Sequence, residues 1–331
     1  MRLASLTLAL MFLTTSGPSA QLAFEDAARA AAELPRLHSL LISHRGTLVF
    51  EQYFNKRRAA DLANVKSVSK SIISALVGIA IDQKKIRSVH DPIGPYFPSL
   101  LRADTNAPKR QITIEDLLTM RSGLESTSSR NYGRWVSSGN WVRYTLTRPL
   151  TEEPGSSMEY STGNSHLLSA ILTKATRRST WQYAHDVLAK PLGFTLARWQ
   201  QDPQGIYMGG NEMLLTPRQM LTFGELYLNL GHSGRSQVIP SQWVRDSFVP
   251  RGKSDYSEQM YGYGWWMREL AGEQVFYAWG FGGQYIFVVP RLELVVVTTS
   301  STEVAEERRS HRRSVLGLVE ELIIARLATA A

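Results

Sequence analysis

Apolar and polar positions along LHSLLISHRGTLVFEQYF, Leu37 to Phe54, fall into two β-type runs around the turn His44-Arg45-Gly46. They predict an N-terminal hairpin. A nearly continuous apolar stretch follows, and it predicts a helix from about Ser67 to Lys84. From Arg87 to about Val238 the pattern is helical segments separated by loops, among them TIEDLLTM, NWVRYTLTR, SHLLSAILTKAT and TPRQMLTFGELYLNLG. Thr113 with Asp116 reads as a capping-box variant, and Thr216 before Pro217 as an N-cap with proline at the first helical position. Beyond VIPSQWVRDSF the chain changes character. YGYGWWMREL, QVFYAWG, GQYIFVVP and LELVVVTTS read as successive antiparallel strands with short Gly- or Pro-containing connections. A last helix is expected from Glu306 to about Leu327.

The layout is hairpin, helix, long helical insert, strand meander, helix. A lone hairpin is too small a sheet to stand by itself. Pairing it with the meander predicts an α+β fold: one antiparallel β-sheet of about five strands, flanked by helices, with a large inserted all-helical lobe. The expected α/β lobe covers about 30–86 and 239–331, and the helical lobe about 87–238. A cleft between two lobes is where sites tend to lie.

The absence of cysteine from the 331 residues excludes a thiol nucleophile, disulfides and thiolate metal sites. The net charge of +8 raises an anionic partner, but the basic residues are scattered and no nucleic-acid module is legible. The densest cluster, ERRSHRRS over Glu307 to Ser314, reads as a solvated helix face. The first residues, MRLASLTLALMFLTTSGPSAQ, combine Arg2, an apolar run and small residues up to Ala20. This resembles a secretory signal peptide over residues 1–20, with the mature domain over 21–331, and implies export to a periplasm or the medium. That apolar run is too short for an ordinary membrane span, so no stable span is expected once it is removed. No metal-binding spacing is seen among the seven histidines.

Three stretches bear on chemistry. In SVSK, Ser67 and Lys70 stand at i and i+3, on one face of a helix. A serine hydroxyl needs a base, and a lysine becomes one when burial or a helix N-terminus lowers its pKa. Alone, the pair is equally an ordinary helix start with a solvated lysine. In EYSTGNSH, Tyr160 precedes a helix; a tyrosine beside a lysine can relay a proton, or simply pack at the junction. In AWGFGGQYIF, glycines open a strand, where backbone N–H groups can receive an oxyanion or merely turn the chain.

Together and in this order, the three resemble the signatures of the serine β-lactamase and penicillin-binding-protein superfamily: Ser-x-x-Lys, Tyr-x-Asn and Lys-Thr-Gly. The chain is most similar to the branch of class C β-lactamases, DD-peptidase-like esterases and 6-aminohexanoate-oligomer hydrolases. DPIGPYFPSL, ITIEDLLTMRSGL, KPLGF, GIYMGGNEMLLTPRQM and YGYGWWM extend the likeness over Leu37 to Ser300. The resemblance implies that Ser67 is acylated, that Lys70 takes its proton, and that Tyr160 serves as base and then acid to the leaving group. It places the oxyanion hole at the backbone N–H of Ser67 and of Phe281, next to Gly280, and gives Asn211 a substrate contact. It implies a small-molecule ester or amide substrate and no cofactor.

Two departures bear on the substrate. The motif asparagine is replaced by Thr162, which lacks an amide to orient a peptide-like acyl group. The motif Lys-Thr is replaced by Ala278 and Trp279, which offer a substrate carboxylate no cation. Weak or no β-lactamase and D-alanyl-D-alanine carboxypeptidase activity is expected. The aromatic residues Tyr132, Trp135, Trp141 and Trp279 suit an apolar group in the cleft, with about half of them expected instead to be core or lobe-interface packing. The alternatives are a β-lactamase or carboxypeptidase after all, or a non-catalytic binding module on the same fold. A Ser-His-Asp hydrolase finds no Gly-x-Ser-x-Gly elbow, and His166 and His185 have no evident role.

Overall fold

The predicted hairpin forms as β1 (Leu37–His44) and β2 (Thr47–Tyr53) in a computed structural model, which describes residues 24–101 and 107–330. The expected export segment lies outside the described residues. Two short strands, β3 (Ala63–Asn64) and β4 (Leu214–Leu215), pair with each other. The C-terminal strands are β5 (Gly252–Lys253), β6 (Met260–Tyr261), β7 (Trp266–Leu270), β8 (Glu273–Gly280), β9 (Gln284–Val289) and β10 (Leu294–Ser300). With the hairpin they make one antiparallel sheet in the order β2-β1-β10-β9-β8-β7-β6-β5.

The sheet thus has eight strands, not about five. YGYGWWMREL splits in two because the chain turns between its glycines. Gly264 has φ +81°, and a Cβ on Gly262 would stand 2.3 Å from the Ser247 carbonyl oxygen. The freed first half, Met260–Tyr261, then pairs with Gly252–Lys253 and extends the edge.

The central strands read as unbroken apolar runs because both faces are covered. On β9, Ile286 and Val288 enter one core while Tyr285, Phe287 and Val289 enter the other; on β10, Val295 and Val297 oppose Leu294 and Val296. Helices α1 (Glu25–Ala32) and α6 (Arg308–Val319) cover one face. Helix α2 (Ser69–Asp82) lies on the other and is buried all round from Ser69 to Ala80, as its uninterrupted apolar sequence requires. Helices α3 (Ile114–Leu118) and α4 (Thr162–Thr176) pack beyond it. Capping boxes at Thr113 and Thr216 start α3 and α5 (Pro217–Leu228). Although α5 falls in the sequence stretch expected to form the helical lobe, it packs on β1, β9 and β10. A Cβ on its Gly224 would come within 2.6 Å of Val295.

Gly78 sets the seat of α2: a Cβ there would stand 2.3 Å from the indole of Trp243, which is itself buried. Helix propensity alone favours Gly78→Ala by roughly 1 kcal/mol, whereas overpacking a rigid ring costs about 1–3 kcal/mol. Gly78→Ala is therefore expected to lower the melting temperature by several degrees, and a melting temperature at or above that of the parent would show that Trp243 yields freely.

Candidate active site

Antiparallel pairing of two distant segments presents Ser67. Ala63 and Asn64 pair with Leu215 and Leu214, and the Val65 N–H donates to the Met213 carbonyl at 2.9 Å. The next rung is made by side chains: Lys66 Nζ lies 2.8 Å from Glu212 Oε1, and Asn64 Nδ2 donates to the other carboxylate oxygen. Lys66 and Glu212 both adopt left-handed backbone, at φ +50° and +66°, so this rung turns both chains. Ser67 follows on a single 3-10 turn, Lys66–Val68, half-exposed and immediately ahead of α2.

Lys70 stands in the first turn of α2 and is only 3% exposed. Its Nζ lies 3.0 Å from Ser67 Oγ, 2.6 Å from the Gly210 carbonyl oxygen and 3.3 Å from Thr162 Oγ1. It also sits 4.9 Å from the centre of the Tyr160 ring. None of these neighbours carries a full charge. Burial, uncompensated by a carboxylate, brings the lysine pKa down to about 7. The Gly210 carbonyl reaches the lysine because Gly209 and Gly210 pass hard against α4. A Cβ on Gly209 would lie 2.0 Å from the Ser165 carbonyl oxygen, and one on Gly210 would lie 2.9 Å from Ser165 Cβ.

The Tyr160 ring stacks on Trp266 at 5.5 Å and meets Tyr261 edge-on at 6.2 Å. Its hydroxyl lies beside Ser67, and burial raises its pKa well above that of a free phenol. Tyr160 is thus a phenol at neutral pH. The N-terminal amides of α4 are satisfied by hydroxyls from a separate loop: Thr162 N–H donates to Ser128 Oγ at 2.9 Å and Gly163 N–H to Thr127 Oγ1 at 2.8 Å.

Strand β8 runs up to this cluster. A Cβ on Gly280 would stand 2.2 Å from the Val65 carbonyl oxygen, so the strand end touches the backbone that leads into Ser67. Phe281 follows, and among the described residues neither its backbone N–H nor that of Ser67 donates to another protein group. Such paired free amides suit a developing oxyanion.

Of the substrate-contact candidates, Thr162 touches Lys70, and Asn211 Nδ2 donates to the hydroxyl of Tyr132 at 2.8 Å. Trp279 lies 6.1 Å from Trp266, which itself stacks on Tyr160. Trp135 and Trp141 are the packing members of the aromatic set: each is at most 2% exposed, and they pack on each other and on His166. Residue composition alone does not separate a cleft aromatic from a core one. The basic cluster near the C-terminus is also only half solvated. Arg309 and Arg313 are exposed, but Arg308 stacks on Phe281 at 4.2 Å, Arg312 on Trp279 at 4.8 Å, and His311 is buried against Ser300. Sequence reasoning missed Ser128 and the Gly210 carbonyl. Only the Gly209-Gly210 pair carried a signal, that of close backbone approach.

His166 has a partner after all. Its Nε2 lies 3.1 Å from Asp202 Oδ2, and both side chains are wholly buried. The other Asp202 oxygen accepts the N–H groups of Gln204 and Ile206. No serine completes a triad here; the pair pins the loop that leads to Gly209. Among the described residues no cluster of three or more acidic or histidine side chains could hold a metal ion.

A beta-lactamase family profile matches residues 24–320. Among solved structures, a Bacillus anthracis protein assigned as a 6-aminohexanoate-dimer hydrolase is 21% identical, with TM-score 0.70, covering 87% of this chain and 81% of its own. EstCE1, described as a hydrolase with promiscuous acyltransferase activity, is 18% identical, with TM-score 0.69 and coverage of 90% and 97%. A class C beta-lactamase from Rhodobacter sphaeroides is 17% identical, with TM-score 0.65 and coverage of 91% and 98%. At these identities the likeness is one of fold. No curated protein matches the chain.

Asp202→Ala strands a buried imidazole and two amides. It is expected to cost about 3 kcal/mol in urea unfolding, with Asp202→Asn costing less because it keeps an acceptor. Equal stability of Asp202→Ala and the parent would refute this role.

Proposed function

Because the chain belongs to the beta-lactamase family, we propose that it is a serine hydrolase that cleaves an ester or small amide through an acyl-enzyme at Ser67. The observation that carries this reading is the contact at 3.0 Å between Ser67 Oγ and a buried Lys70 whose pKa stands at about 7. Near neutral pH a large fraction of such a lysine is an uncharged amine, able to take the serine proton.

The steps follow from the positions. Ser67 Oγ attacks the substrate carbonyl carbon while its proton passes to neutral Lys70. The oxygen of the tetrahedral intermediate receives the N–H groups of Ser67 and Phe281. Tyr160, protonated and beside Ser67, gives its proton to the departing alkoxide or amine and regains one from the Lys70 ammonium. Water then attacks the acyl-enzyme, its proton passes to neutral Lys70, and the resulting ammonium returns a proton to Ser67 Oγ, 3.0 Å away, as that oxygen leaves as the hydroxyl. The assignment of the Bacillus anthracis protein as a 6-aminohexanoate-dimer hydrolase, and of EstCE1 as a hydrolase with acyltransferase activity, agrees with acyl-transfer chemistry of this kind. The same reading takes residues 1–20 as an export signal and the mature protein as periplasmic or secreted.

Esters and neutral amides fit better than penicillins or D-alanyl-D-alanine peptides. Strand β8 offers Ala278, buried in the core, and Trp279 where a cation and a hydroxyl would meet a substrate carboxylate. Loss of a charged hydrogen bond worth about 1.5–3 kcal/mol lowers turnover roughly tenfold to a hundredfold.

A fluorophosphonate probe is expected to label the protein, and Ser67→Ala to abolish labelling. Folded parent protein that stays unlabelled would mean a binding module instead. Removing the base as Lys70→Ala should slow labelling by about a hundredfold or more. Since only the deprotonated lysine acts, the labelling rate should climb as pH rises through about 7 and level off above it; a flat profile between pH 5.5 and 8.5 would exclude Lys70 as the base. Nitrocefin should turn over far more slowly than p-nitrophenyl butyrate, and rapid nitrocefin turnover would contradict the assigned substrate class.

A further inference from the structure

The hydroxyl chain behind Lys70 has a fixed direction. Lys70 Nζ donates to Thr162 Oγ1 at 3.3 Å, and Thr162 Oγ1 lies 3.0 Å from Ser128 Oγ. Ser128 Oγ also accepts the backbone N–H of Thr162 at 2.9 Å. Thr162 is 4% exposed; with the Lys70 lone pair turned to Ser67 Oγ and its N–H groups to the Gly210 carbonyl and Thr162, the acceptor left for the Thr162 hydroxyl proton among the described residues is Ser128 Oγ. Turning the proton elsewhere leaves a buried donor unpaired. Thr162 therefore donates to Ser128. A serine oxygen has two lone pairs, and both are now filled, by the Thr162 amide and the Thr162 hydroxyl. The Ser128 O–H can only donate outward. Ser128 is partly exposed, and among the described residues its proton meets no acceptor.

The loop holding Ser128 is fixed in turn. Its own N–H donates to Ser126 Oγ at 3.0 Å, and Ser126 Oγ donates to the Tyr160 carbonyl oxygen at 2.7 Å. One catalytic candidate thus anchors the loop, and another, Lys70, orients its hydroxyl through Thr162. An oriented donor with an empty front, two hydrogen bonds from the lysine that touches Ser67, is suited to a substrate oxygen.

We propose that Ser128 contacts the substrate, its hydroxyl donating to an oxygen acceptor on the acyl chain and so favouring oxo- or amide-bearing acyl groups over plain alkyl ones. The assignment rests on the acyl-enzyme reading above and deepens it by naming a feature of the substrate. The threonine that replaces the motif asparagine then has a function of its own: it relays orientation to a hydroxyl on another loop.

The test compares p-nitrophenyl 4-oxopentanoate with the pentanoate, and the 5-oxohexanoate with the hexanoate. In each pair the esters differ only by a ketone oxygen. The readout is the ratio of kcat/KM within each pair. Ser128→Ala is expected to lower that ratio about tenfold in at least one pair, the loss of one hydrogen bond to substrate. Because Ser128→Ala also strips an acceptor from the start of α4, Thr162→Val serves as a second variant. It keeps that acceptor but frees the Ser128 proton to turn, and should lower the ratio in the same direction, while Thr162→Ser should preserve it within twofold. Ratios unchanged within twofold in Ser128→Ala, or in Thr162→Val should the alanine variant not fold, overturn the assignment while the acyl-enzyme reading stands. A parent protein that hydrolyses none of the four esters and takes no fluorophosphonate overturns both.

Discussion

A lysine amine sealed in a nearly uncharged setting is the constraint on which the rest of the site depends. Lys70 is surrounded by a serine, a backbone carbonyl, a threonine and the face of a tyrosine, and among the described residues no carboxylate bonds to it. A carboxylate in hydrogen-bonding range would restore the lysine to its ordinary charged state. The structure instead satisfies the amine with neutral oxygens, each from a different part of the chain. Gly209 and Gly210 have no room for side chains because the backbone that carries the Gly210 carbonyl passes hard against α4, and α4 begins at Thr162 so that its first hydroxyl reaches the same point. The glycine at the end of β8 lets the free amide of Phe281 approach from the other side. Those bare backbone positions all serve proximity to one nitrogen or to the serine it touches.

Much of this could be read from the sequence. Ser67 and Lys70 meet because their spacing matches a helical turn, and Tyr160 joins them as the family resemblance, not its place in the sequence, implied. The strand meander was legible because its connections carry glycine and proline, and its one error came from reading Tyr261 to Leu270 as continuous when Gly262 and Gly264 break it. Backbone acceptors were not legible, since a carbonyl has no residue identity. Ser128 lies in a run of hydroxyl residues indistinguishable from any polar loop. The spacing of Arg308 and Arg312 put them on one face of a helix, but what that face met was set by how α6 lies on the sheet. Trp135 and Trp141 were ambiguous for the same reason: burial is a property of tertiary packing, and hydrophobicity only permits it.

The polar network around the site divides into two parts. Near Ser67 the contacts are neutral hydroxyls and carbonyls, which keep the lysine pKa low. One turn away the charges return, with Lys66 on Glu212 locking the turn that presents the nucleophile. The boundary lies where exposure changes: the Lys66 and Glu212 side chains keep 19% and 21% of their surface in water, whereas Lys70 is buried, so water reaches the first pair and not the second amine. The same chain segment can therefore hold a charged fastener and an uncharged base four residues apart.

The pairing of residues 63–66 with 212–215 has a consequence for how the chain comes to act at all. Its partners are separated by roughly 150 residues, and the strand that brings Phe281 to Ser67 lies further still along the chain. Contacts of such separation form late in folding, after long loops have closed. Ser67 and Lys70 are made early in synthesis, but the pairing opposite them and the backbone donors beside them wait for the sheet to close. A nascent or clipped chain that lacks the last third holds the nucleophile without its setting, so competence of the site is tied to completion of the whole fold.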